Sequence, residues 1–207
     1  MKKIIAFGIL LAVLGAGYAS AMSVYGFWNG MMGNGMMGGM GCGVAYVPHG
    51  YENISIQEAK QRVEQYIAGN ANLKLSEIME FENHFYAQVE EKNTNMHAFE
   101  LIINKYTGRV SPEMGPNMMW NTKYGHMSLG ISEAKISKEQ ALEYAQAYLD
   151  KALPGTKAED AHVFYGYYTI HVLKDGNIYG MLSVNSNTGE VWYHTWHGKF
   201  IRMIEEE

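Results

Sequence analysis

The sequence predicts an α+β protein made of two tandem modules, each an α-helix packed on a three- to four-stranded antiparallel sheet. Two pairs of segments carry the prediction. ISIQEAKQRVEQYIA from Ile54 is matched by ISKEQALEYAQAYLD from Ile136, and FELIINKYTGRV from Phe99 by GMLSVNSNTGEV from Gly180. The offsets are 82 and 81 residues, and one offset held at two landmarks signals duplication. A third observation gives the grammar of each copy: apolar spacing of three and four residues gives way to alternation, the change from helix to strand.

Taken in order, the chain opens with Lys2 and Lys3, an apolar run from Ile4 to Leu14, and Ala19-Ser20-Ala21. This is the pattern of a secretory signal peptide over residues 1–21. The run is shorter than the roughly 20 residues that span a bilayer. Cleavage after Ala21 leaves 186 residues and places the protein outside the cytoplasm: periplasmic, secreted or at a membrane surface. Membrane contact is expected only through an uncleaved signal segment. The formal charge of −5, with no basic cluster, excludes nucleic acid as a partner. Residues 22–52 form a flexible Met/Gly-rich segment, and the lone Cys42 has no internal partner for a disulfide.

The first module covers 53–112. Ser55 and Glu58 are the halves of a capping box, and Ile56, Ala59, Val63, Tyr66 and Ile67 form the stripe of a helix that Gly69 ends. Strands are expected near Glu82 to Glu90, Met96 to Asn104 and Arg109 to Ser111. A Met-containing linker occupies 113–134. The second module, 135–201, repeats the pattern with Ser137 and Gln140 as capping box, Ala141, Ala145, Tyr148 and Leu149 as stripe, and Pro154-Gly155 as stop. One strand is expected through HVFYGYYTIHV, then a hairpin turn at Asp175-Gly176, a return strand from Ile178, and a third strand Glu190 to Tyr193. Residues 202–207 read as an acidic, solvated tail.

A helix opening with Ile-Ser-x-x-x-Ala and strands ending in VNSNTGEVW or INKYTGRV resemble the PepSY domain family. The resemblance covers about residues 53–112 and 135–196. It implies a helix on an antiparallel sheet and a non-catalytic binding or inhibitory role, and it carries over no catalytic residue. Thr107-Gly108 and Thr188-Gly189 read as turn positions, with Gly supplying positive φ.

The chemistry-bearing residues fall in three groups. Met31, Met32, Met36, Met37, Met40 and Cys42, with His49, form a soft-donor tract, and Met118, Met119, His126 and Met127, with Met114, echo it in the linker. Thioether and thiolate sulfur suit Cu(I), whereas a tether or a sticky contact surface needs no ion. His194 and His197 lie three apart between Trp192 and Trp196. They share one face if helical and take opposite faces if the strand continues; the aromatics are expected to close a sheet edge. His171 and the run Tyr165, Tyr167, Tyr168 are expected on a solvated or partly exposed face. No zinc helix, nucleophile elbow or phosphate loop is present, so the chain reads as non-enzymatic. The leading expectation is an extracytoplasmic binding or regulatory protein that engages a protein or peptide partner in the cell envelope. The alternatives are a Met-rich copper-handling protein and a trans-acting inhibitor of a secreted metallopeptidase.

Overall fold

A computed structural model describes residues 52–127, 130 and 133–205, all within one compact unit, Val47–Glu207. The expected signal peptide and the Met/Gly tract lie outside the described residues. Helix α1, Ile56–Ile67, starts where the capping box predicts: the Ser55 hydroxyl accepts from the Glu58 amide, and the Glu58 carboxylate accepts from the Ser55 amide. Its buried residues Ile56, Ala59, Val63 and Ile67 face the sheet. Helix α2 is a single turn, Pro116–Met119. Helix α3, Lys138–Ala152, repeats the Ser137/Gln140 box and buries Ala141, Ala145 and Leu149. None of these helices is long and apolar enough to cross a membrane.

The strands are β1 Leu73–Phe81, β2 His84–Glu91, β3 His97–Asn104, β4 Val110–Pro112, β5 Lys157–Phe164, β6 Tyr167–Lys174, β7 Asn177–Asn185, β8 Val191–Tyr193 and β9 Phe200–Glu205. Three places differ from the expectation, β9 being the third. β1 escaped the alternation pattern because its register to β2 shifts between Leu75 and Glu77, where a bulge interrupts the period. The expected single strand through Tyr165 is a hairpin of β5 and β6 that turns at Tyr165-Gly166. Gly166 has φ +94, and a Cβ there would meet the Trp120 carbonyl at 2.3 Å, so the turn needs glycine. Asp175-Gly176 makes its expected hairpin with both residues at positive φ, 52° and 77°.

All nine described strands join one mixed sheet in the order β8-β7-β6-β5-β3-β2-β1-β9, with β4 on β3. The halves meet at a single parallel bridge, His97 to Phe164. The linker seals the rest of this seam. Asn117 accepts from the Glu100 amide at 3.0 Å and donates to the Glu100 carbonyl at 3.1 Å, Asn121 donates to the Ala98 carbonyl at 2.7 Å, and the Thr122 amide donates to the Tyr165 carbonyl. These contacts satisfy an edge that would otherwise bury unpaired amides and carbonyls. The segment expected as an acidic tail supplies most of β9, which pairs antiparallel with β1 from Glu77↔Glu205 to Phe81↔Phe200.

The sheet is folded on itself. β6 and β1 are four strand steps apart in the order, about 19 Å if flat at about 4.8 Å per step. Yet His171 of β6 lies 3.8 Å from Glu77 of β1, and Met181 of β7 packs with Met79, Phe81 and Tyr86. One face of each half is therefore covered by its helix, and the other faces close on each other. On the α3 side Ile170, Val172, Leu182 and Val184 pack with Ala141, Ala145 and Leu149 in one apolar cluster. Leu149→Ala should cost about 3 kcal/mol by loss of burial plus a residual cavity. Urea denaturation followed by far-UV circular dichroism measures it, and a loss below about 1 kcal/mol would contradict this core assignment.

Candidate metal centre

Alternate residues of the inner strands point into the fold between the two closed faces. These are Tyr86 and Gln88 on β2, Glu100 on β3, Tyr167, Thr169 and His171 on β6, and Ser183 on β7, all buried. His171, expected on the solvated face, and Tyr167 and Tyr168, expected partly exposed, are instead buried. His171 is 3% exposed, and the Tyr168 hydroxyl donates to the Ile136 carbonyl at 2.6 Å. Polarity at alternate positions normally marks a wet face; here the second half-sheet takes the place of water.

A buried polar group needs a partner, and this interior supplies a chain of them. The Glu100 carboxyl accepts from Tyr86, from Tyr167 at 2.8 Å and from Thr169 at 2.7 Å. Thr169 bonds Ser183 at 3.2 Å, and Ser183 bonds Nε2 of His194 at 3.0 Å. His194 Nδ1 lies 3.2 Å from His197 Nε2, and His197 Nδ1 lies 2.8 Å from His84 Nε2.

The chain ends on a carboxylate. Glu113, just after β4, places Oε1 3.1 Å from His197 Nε2 and 3.7 Å from His194 Nδ1. β8 stops at Tyr193, and the turn that follows brings His194 and His197 together, where a continued strand would have parted them. Both rings are clamped: His194 stacks on Trp196 with centroids 4.7 Å apart, and His197 on Phe81 at 4.5 Å. Trp196 Nε1 also donates to Glu113 Oε1 at 3.0 Å, while Glu113 Oε2 has no hydrogen-bond partner.

Three donors thus face one another at 3.1, 3.2 and 3.7 Å. A tetrahedral ion with bonds near 2.0–2.1 Å requires donor separations of about 3.3 Å. The far nitrogen of each imidazole is held by a neutral partner, His84 or Ser183, which fixes ring orientation as outer-shell groups do at metal centres. A cleft of about 640 Å³, lined by Ile178, Gly180, Tyr193, His194, His197 and Phe200 among others, leads from the surface to this wall. A second trio, Glu77, His162 and His171, also gathers donor atoms within 4.8 Å of one another.

Electrostatics prepare the donors. Burial lowers His197 to about 3, burial and the neighbouring His197 hold His194 well below the ordinary range, and burial with His197 and Lys105 lowers His84 to about 3. The imidazoles are neutral, the form that binds metal. Burial pushes Glu113 up to about 8, and Glu100 is raised well above its ordinary value by burial and by Glu113. A bound cation would reverse the cost of ionising Glu113.

The described donors that the sequence singled out in the linker are not among the three ligands of this centre. Met31, Met32, Met36, Met37, Met40 and Cys42 lie outside the described residues. Met119, His126 and Met127 are exposed in the linker and Met118 is half-buried. The amides of His126 and Met127 both approach the Met118 carbonyl, at 3.0 and 3.4 Å, so these residues share one tight loop. Glu113 had no sequence signal of its own. The usable one was the His194-x-x-His197 pair combined with polar residues at alternate positions of strands that also carry Tyr and Met.

No family model and no curated protein matches the chain. Among solved structures, the C-terminal domain of Bacillus megaterium YpeB is similar at 13% identity with a TM-score of 0.27, over 69% of this chain and 62% of that one. The chain therefore spans less than two thirds of that structure's length.

Five imidazoles, His84, His97, His162, His194 and His197, are lowered from 6.5, chiefly by burial. Unfolded, each binds a proton below about 6.5; folded, each stays neutral to lower pH. Their contribution is therefore complete above about 6.5 and is lost as pH falls toward 3. Raised Glu100 and Glu113 act in the opposite sense above 4.5, but two carboxyls oppose five imidazoles. Chelator-treated protein followed by tryptophan fluorescence should lose urea stability steadily from pH 6.5 to 4. A flat profile there would contradict the neutral-imidazole assignment.

Proposed function

We propose that the protein is a non-catalytic, extracytoplasmic metal-binding protein, whose halves are two copies of a PepSY-like module that clasp a divalent transition-metal ion between them. The ion sits against Glu113 Oε1, His194 Nδ1 and His197 Nε2. The observation that carries this is the triangle of 3.1, 3.2 and 3.7 Å among three buried donors. Two imidazoles and a carboxylate suit Zn(II), Co(II), Ni(II) or Cu(II) rather than a soft monovalent ion. The site joins both halves, because Glu113 follows β4 of the first and the histidines follow β8 of the second. Burial of all three donors suits an ion that is held, for structure, regulation or transfer to an envelope partner, more than one that turns over substrate.

A second reading keeps Cu(I) on the Met segments. It is favoured by the exposed side chains of Met114, Met119 and Met127, which lie on one short linker beside His126. Soft-ion competition of the intact chain against the triple variant Met114→Leu, Met119→Leu, Met127→Leu separates it from the first, because none of the three supplies a donor atom to the Glu113 centre.

Titration of the full-length chain with Co(II) tests the main reading. A tetrahedral visible spectrum is expected, together with quenching of Trp196, which stacks on a ligand. Glu113→Gln and His197→Ala should each weaken binding by more than about 100-fold, and Ser183→Ala by about 10–100-fold as an outer-shell loss. Co(II) binding unchanged in both ligand variants would overturn the assignment.

A further inference from the structure

We infer that Glu77, His162 and His171 form a second divalent-metal site, separate from the Glu113 centre and open on one side to solvent. Its first support is a set of unsatisfied atoms. Glu77 Oε1, His162 Nδ1 and His171 Nε2 are all buried and all without a hydrogen-bond partner. An orphaned buried polar atom costs roughly 1–3 kcal/mol, so three converging on one point is an arrangement that a ligand must repay. One ligand atom of each residue lies within 4.8 Å of those of the other two, and Glu77 Oε1 is 3.8 Å from His171 Nε2. At the Glu113 centre the donors already approach one another closely; here no described residue hydrogen-bonds these three atoms.

The backbone supports the same point. Register shifts occur on both strands that bring the outer groups in, between Leu75 and Glu77 on β1 and between Glu159 and Ala161 on β5. Bulges re-aim side chains and recur beside functional sites. The second bulge is centred on Asp160, a non-glycine residue at φ 51°, a left-handed conformation that is uncommon for a side-chain-bearing residue. Its carboxylate Oδ2 lies 4.0 Å from His171 Nδ1, the nitrogen opposite the orphaned Nε2. That separation is too long for a hydrogen bond, so Asp160 contributes a negative charge on the side of His171 away from the orphaned nitrogen.

The site also has a place for a metal-bound water. Gln88 pairs directly with Glu77 across β1 and β2, is fully buried, and leaves both its amide nitrogen and oxygen unsatisfied. A water on the ion would give that amide its partner. His162 is only partly buried, with its ring 4.9 Å from His97, so the ion can exchange from that side. Two imidazoles and one carboxylate with an open position match a Zn(II), Co(II) or Ni(II) site that binds a further small ligand.

The proposal does not rest on the Glu113 centre, and one experiment keeps their outcomes apart. The full-length chain is dialysed to equilibrium against Zn(II), metal and protein are counted, and the same is done for Glu77→Gln, His162→Gln, His171→Asn and Glu113→Gln. His162→Gln is the safest for folding, since that residue is partly exposed, and circular dichroism checks each variant. The second site is supported if His162→Gln and Glu77→Gln each lose one ion per chain, or weaken it at least about tenfold, while Glu113→Gln keeps it. It is overturned if a folded His162→Gln and a folded Glu77→Gln bind zinc with wild-type stoichiometry and affinity. If Glu113→Gln alone loses an ion, the Glu113 centre stands and this site falls.

Discussion

Burial of the two polar sheet faces against each other is the constraint on which the rest of the structure depends. A sheet normally solves its polar side by leaving it in water. Here the sheet folds between β3 and β5, so Glu77, Gln88, Glu100, Thr169, His171 and Ser183 must find partners inside the protein. Glu100 finds three hydroxyl donors, and Ser183 bridges Thr169 and His194. Among the described residues, most buried side-chain atoms without a hydrogen-bond partner lie at Glu113 Oε2 and around Glu77, with Ser186 Oγ apart from both. Such a concentration of deficits is what a ligand site looks like before its ligand is counted.

The same burial sets the chemistry. Low solvation lowers His84, His194 and His197 and raises Glu100 and Glu113, so this part of the interior favours uncharged forms until a cation enters. Aromatic stacking by Phe81 and Trp196 removes rotamer freedom from His197 and His194, which places the donors before any ion arrives. The linker contributes in the same way. Asn117 and Asn121 do for the edge of β3 what a paired strand would do, and Glu113 is held in place as a consequence.

Local features were legible in the sequence because their cause is local. Both capping boxes, the Asp175-Gly176 hairpin and the apolar stripes of α1 and α3 follow from spacing within a few residues. β1 was hidden because a bulge broke its period, and the β5–β6 hairpin because the apolar, tyrosine-rich run looks continuous on either side of Gly166. The site was illegible for a longer-range reason. Glu77, Glu113, His171 and His197 belong to four distant segments, and a polar residue facing a second sheet reads like one facing water. His194 and His197 were visible as a pair, but their shared orientation depends on a turn that neither a helical nor an extended pattern describes.

The last strand gives the molecule an order of completion. β9 hydrogen-bonds to β1, so among the described strands the first to be made is covered by the last. During synthesis, the first half would hold Ile78, Met79 and Phe81 beside an edge not yet paired with β9 until Phe200–Glu205 emerged. Such an edge is a template for pairing with other chains. Closure between sequence-distant ends also slows folding. The first half therefore depends on β9 for its finished form, and a nascent chain that stalls before β9 would be the species most prone to joining its neighbours.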